Sequence, residues 1–200
     1  MTQAISRYLT SLDDVEWQNA NDFDFPNLEV SQWLCEQGSL SKRLAQQCQH
    51  LSVVVLAQQH VSAQTLSKDE TLAIGAHSCL LREVILQGDG QPWVIGRTLI
   101  PEPTWQHQSV DLRSQGDIPL GLTVFAAEAV KRDRLEIGCV EHQGERLFVR
   151  RSRLWMNHKP MLVTELFLPQ APIEQRVMDD AEGRVSVSHR TMPLGQQSTE

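Results

Sequence analysis

The first chemistry this sequence offers is a pair of arginines placed where strands should carry hydrocarbon. In LLREVILQGDGQPWVIGRTLIP, from Leu80 to Pro101, two strand-like runs flank a Gly-Asp-Gly turn, and each holds one arginine, Arg82 or Arg97, among apolar neighbours. An uncompensated guanidinium on the buried face of a hairpin is costly, so two of them mark a place for an anion, and their planar forks suit carboxylates. Register decides whether they cooperate. A two-residue Asp89-Gly90 turn of the mirror-image type sets Arg82 opposite Arg97 on one face, whereas a three-residue loop bulged at Gly90 shifts the pairing by one and separates them. The pattern fits equally an arginine that snorkels to the sheet edge and does no chemistry.

A second hairpin carries the opposite charge. The runs Arg146 to Met156 and Met161 to Pro169 flank Asn157-His158-Lys159-Pro160, and MLVTELFLP places Glu165 on the same face as Val163 and Phe167. Desolvation there raises a carboxyl pKa unless a cation sits close by. A structural ion pair with Arg150, Arg151 or Arg153 is the commoner role for a lone buried glutamate. Alternation splits those three arginines, Arg151 and Arg153 on one face and Arg150 on the other, and the cluster reads as a mostly solvated charged surface.

The elements that must position these groups follow from periodicity. Residues 1–27 are polar, with a weak helical pattern near Ser11 to Trp17, and read as a segment ahead of the main domain. Leu28 to Gln37 has helical spacing closed by Gly38, and Ser39 starts a second helix with Leu40, Leu44 and Cys48 on one stripe. Leu51 to Gln58 reads as a strand and Gln59 to Ala76 as a loop with about one helical turn. After the first hairpin, Pro119 to Lys131 is helix-compatible, and strands follow at Leu135 to Val140, Arg146 to Met156 and Met161 to Leu168. The fold class is α+β, a single antiparallel sheet of about six strands with helices packed on one side. The domain spans 28–170. Beyond Pro169 apolar periodicity is lost, so 171–200 reads as a flexible tail whose removal after Gln170 should be nearly neutral.

Composition excludes several classes. Two hundred residues at 40% hydrophobic content suffice for one real core. No apolar run is long enough to span a bilayer and MTQAISRYLT lacks a signal-peptide pattern, so a cytoplasmic protein with no membrane insertion is expected. Cys35, Cys48, Cys79 and Cys139 have no C-x-x-C spacing, the histidines have no ligand spacing, and neither metal nor disulfide framework is indicated. A net charge of -7 argues against nucleic acid. Gly88, Gly90 and Gly96 are no dinucleotide fingerprint, because no helix follows them.

LLREVILQGDGQPWVIGRTLIP, IPLG at Ile118 to Gly121, LEIG at Leu135 to Gly138, RRSRLW and KPMLVTELFLP together closely resemble the chorismate pyruvate-lyase family, from about Trp33 to Pro169. That resemblance implies a helix-turn-helix flap over an internal pocket, and conversion of chorismate to 4-hydroxybenzoate and pyruvate as the first committed step of ubiquinone biosynthesis. That reaction needs no metal, nucleotide or flavin, a monomer is expected, and a product that keeps its charged contacts inside a closed pocket should hold the enzyme back. The family's ligand-binding arginine falls on Arg82 and its glutamate on Glu165, which leaves open whether Glu165 takes a proton or only positions the ring hydroxyl. Leu40, where other members can carry methionine, and Leu120 contribute mainly backbone contacts, and Arg97 falls on a supporting position. The rival readings are a non-catalytic carrier of an aromatic acid and an effector-binding module of a transcription regulator. The latter needs a DNA-binding domain, and only about thirty residues precede Trp33.

Overall fold

The computed structural model describes residues 2–106, 111–127, 129–142 and 144–173. In chain order the elements are α1 (Thr2–Ser11), β1 (Gln18–Asn19), α2 (Leu28–Leu34), α3 (Leu40–Ala45), β2 (Leu51–Val61), α4 (Lys68–Ile74), β3 (Cys79–Gly88), β4 (Gln91–Pro101), α5 (Glu102–Trp105), α6 (Leu120–Val124), β5 (Val130–His142), β6 (Glu145–Met156) and β7 (Lys159–Phe167). All strand pairs are antiparallel, in the order β1-β5-β6-β7-β4-β3-β2. The fold is α+β with seven strands, the two-residue β1 being the strand that periodicity does not reveal.

The hairpin that carries the two arginines follows neither expected register. Asp89 (φ 49°) and Gly90 (φ 81°) form the two-residue mirror-image turn and Gly88 pairs with Gln91, but Trp93 is then left out of the ladder as a bulge. Its indole lies across Gly88, where any Cβ would come within 2.1 Å of the ring. Past the bulge Arg82 faces Thr98 and Arg97 faces Glu83. The rows continue across four strands. Arg82, Thr98, Val163 and Ser152 form one row, Val84, Gly96, Glu165 and Arg150 another, and between them lies Glu83, Arg97, Thr164 and Arg151 on the opposite face. Arg97 is therefore separated from Arg82 by the sheet itself.

Both faces are covered, not one. On the face of Arg82, α2 and α3 pack Val30, Trp33, Leu34 and Leu44 onto Leu86, Val94 and Phe167, while α6 sets Leu120 and Val124 against Leu80, Ile100 and Leu154. On the other face α1 lays Ile5, Tyr8 and Leu9 over Ile85, Ile95 and Leu166, and α4 lays Ala73 and Ile74 over Leu81 and Leu99. Residues 1–27 thus contribute α1 and β1 to the domain instead of preceding it. In the span read as a loop, α4 is set by a capping box in which Ser67 and Glu70 exchange hydrogen bonds.

The 170/171 boundary is also displaced. Ala171 and Ile173 are fully buried in the cluster of Trp33, Leu34 and Phe167, and the rest of the expected tail, from 174 onward, lies outside the described residues. Burying one isoleucine is worth about 1.5–3 kcal/mol, so truncation after Gln170 is expected to lower Tm by about 3–12 °C rather than leave it unchanged. A melting curve superimposable on that of the full chain would show that these contacts add nothing.

Candidate active site

Along one face, β3, β4, β7 and β6 present Arg82, Thr98, Glu165 and Arg150 inward beneath α2, α3 and α6. A small cavity there, about 60 Å³, is lined among others by Leu40, Thr98, Leu120, Arg132, Val163 and Glu165. Cavities that take small molecules run to roughly 300–1,000 Å³, so this one is too small to hold such a ligand as it stands. Leu40 and Leu120 begin α3 and α6, whose starts converge closely enough that a Cβ on Gly121 would meet Ser39 Oγ at 3.1 Å. First-turn N–H groups have no partner inside their own helix, and both of these helix starts stand beside the cavity, with Lys42 N–H of α3 capped by Ser39 Oγ.

Glu165, 9% exposed, accepts from Arg150 Nε at 2.5 Å. Arg150 is fully buried, and its Nη1 lies 3.2–3.3 Å from the carbonyls of Trp33, Leu34 and Glu36, the C-terminal end of α2 and the turn after it. One guanidinium thus serves both the carboxylate and the helix that covers it. Arg150 Nη2 has no hydrogen-bond partner among the described residues, a spare donor beside Glu165. The cluster expected on a solvated surface is in fact interior or shielded: Arg151 is buried against Glu136 and Trp17, and Arg153 is held by Asp133. Alternation distributed these side chains as expected; what it could not supply is that α1 and α2 lie over both faces.

Arg82 is 2% exposed and donates to Gln58 Oε1 at 3.0 Å, to the Gly116 carbonyl at 2.7 Å and to that of Ile118 at 3.4 Å. Burial pushes its pKa down, yet an arginine stays charged at neutral pH. All its acceptors are neutral. Arg97, by contrast, is neutralised by Glu70 at 2.6 Å, with Glu83 at 3.9 Å, beside a larger cavity of about 450 Å³ on the far face. Arg151 lines that cavity too and is likewise paired.

Chains with known relatives share this sequence over most of its length. The profile described as chorismate lyase matches residues 11–178. The chain belongs to the chorismate lyase family. A probable chorismate pyruvate-lyase of Vibrio parahaemolyticus is 57% identical over 86% of this chain and 97% of its own length, and one from Vibrio cholerae 56% identical over 86% and 97%. The chorismate pyruvate-lyase of Photorhabdus laumondii is 35% identical over 81% of this chain and 94% of its own. Among solved structures, the C-terminal domain of the histidine utilization repressor from Pseudomonas syringae pv. tomato aligns with a TM-score of 0.41 at 14% identity, over 60% of this chain and 92% of that one.

For a member of the lyase family, the fold brings Leu40, Leu120 and Glu165 to one cavity, with Arg82 on the same face, and leaves Arg97 outside. Arg132 adds a cation to that lining, and Arg150, one of the three arginines that the sequence offers as partners for Glu165, is the one that pairs with it. Arg132, in KRDRLEIG, had no signal that distinguishes it from its charged neighbours.

Proposed function

We propose that this chain converts chorismate to 4-hydroxybenzoate and pyruvate, at the first committed step of ubiquinone biosynthesis, as a cofactor-independent cytoplasmic monomer. The observation that carries the reading is the placement on one face, under a common cover, of Arg82, a cation without a counter-ion among the described residues, and a carboxylate, Glu165. By sheet spacing their backbones stand roughly 12 Å apart, and inward-reaching side chains leave a gap suited to a para-substituted ring acid. Arg82 takes the ring carboxylate by charge-assisted hydrogen bonds, supported by first-turn N–H groups at Leu40 and Leu120. Glu165, one oxygen committed to Arg150, accepts from the ring hydroxyl with the other.

Gripped at both ends, the ring holds its enolpyruvyl ether in a fixed conformation. The bond between ring carbon and ether oxygen breaks, the hydrogen on the hydroxyl-bearing carbon passes to the enolpyruvyl methylene, and the ring aromatises as the ether becomes the keto group of pyruvate. Six atoms close the array, no proton or electron is left over, and the chain supplies orientation rather than a base. In this reading a strong chelator leaves turnover unchanged, and chorismate deuterated at the hydroxyl-bearing carbon yields pyruvate whose methyl carries that deuterium when quenched at once. Loss of activity on chelation restored by a divalent ion, or deuterium found only in solvent, would overturn the respective step.

A further inference from the structure

Chorismate bears two carboxylates, and Arg97, the second arginine read from the sequence, faces the other way. We infer that Arg132 grips the enolpyruvyl carboxylate and is the residue that distinguishes the dianionic substrate from the monoanionic product. This rests on the proposed chorismate reaction and extends it to a residue that the reading above leaves without a role.

Counter-ions single Arg132 out. Eight arginines of the described residues are at least partly buried, and six of them, Arg43, Arg97, Arg134, Arg150, Arg151 and Arg153, have a carboxylate oxygen within 4 Å. The other two are Arg82 and Arg132, whose hydrogen bonds go only to neutral acceptors. Both belong to the face that carries Glu165, and Arg132 lines the cavity directly. Two cations without counter-ions among the described residues match two carboxylates.

Their placement matches the substrate's shape. Arg82 is anchored at Gly116 and Ile118, whereas Arg132 donates to the carbonyls of Gln37 at 3.3 Å and Gly38 at 3.2 Å and to Ser152 Oγ. That turn adjoins the Glu36 carbonyl held by Arg150, so Arg132 sits toward the Glu165 end, where the charges of Arg150 and Glu165 reach it. The enolpyruvyl group hangs from the ring carbon next to the hydroxyl that Glu165 meets, which directs its carboxylate to Arg132. Burial and the repulsion of Arg150 pull the Arg132 pKa down to about 10, so a bound anion relieves an existing strain. Three of the five guanidinium N–H groups are engaged, leaving two for the ligand.

The test compares two ligands in Arg132→Gln and Arg132→Lys. 4-Hydroxybenzoate has one carboxylate; 3-(1-carboxyvinyloxy)-4-hydroxybenzoate keeps the enolpyruvyl ether but is already aromatic. For Arg132→Gln, the dissociation constant of the ether rises by about 10–30-fold and that of 4-hydroxybenzoate stays within about twofold, with Arg132→Lys intermediate for the ether. Equal weakening of both ligands would mean that Arg132 only braces the Gln37–Gly38 turn, and unchanged binding of both would remove it from the site; either overturns the inference. Wild-type turnover of chorismate, measured alongside, separates these failures from failure of the underlying reaction.

Discussion

Arg82→Ala is expected to weaken binding of chorismate and 4-hydroxybenzoate together by roughly 30- to 4,000-fold. Truncating one partner of a buried charge-assisted contact costs about 2–5 kcal/mol, and the ring carboxylate is common to substrate and product. Turnover at saturation should fall less than kcat/KM, because the contact exists before the transition state as well as in it. Titration calorimetry with the product and initial rates with chorismate read the two effects separately. Part of the loss belongs to the protein, since the Gly116 and Ile118 carbonyls ahead of α6 also lose their donor. Arg82→Lys, which keeps charge but not the fork, should recover part of the affinity. If Arg82→Ala binds product within about threefold of wild type, the ring carboxylate is held elsewhere.

The largest stability effect should come from Arg150→Met. It strands Glu165 as a buried charge and removes the donor shared by three main-chain carbonyls, a change of about 3–5 kcal/mol, or roughly 6–20 °C in Tm. The double variant Arg150→Met, Glu165→Leu should regain most of that stability while remaining inactive, because a well-packed apolar pair can replace a buried ion pair in the fold but not at the ring hydroxyl. A single variant melting within about 2 °C of wild type would show that water or another cation takes over from Arg150.

The hairpins and the inward direction of Glu165 were legible because each depends on neighbours in sequence, whereas the Asp89-Gly90 turn was one of two that the sequence left open. The Trp93 bulge was not legible, since it is fixed by an indole settling over Gly88, and that one unpaired residue sends Arg97 to the opposite face. Arg132 escaped for a similar reason. β5 is irregular between Asp133 and Glu136, with Arg134 at φ 48°, so simple alternation along KRDRLEIG gives no dependable account of which charges face inward. Other omissions had a signal. Ile5, Tyr8, Leu9 and Leu12 stand at helical spacing and all join the core of the far face, and Ser67 with Glu70 has the spacing of a capping box. Both were obscured by the polarity of the surrounding residues.

The sharing of Arg150 between the end of α2 and Glu165 bears on the order of events in a catalytic cycle. Lifting α2 takes away the carbonyls that fix the far side of the guanidinium, and so loosens the group that orients the carboxylate. In the proposed reaction, departure of product and disarming of the reaction centre then become a single step. Water that enters while the cover is raised meets an unassembled centre, and chorismate regains a competent one only after the cover has come down over it.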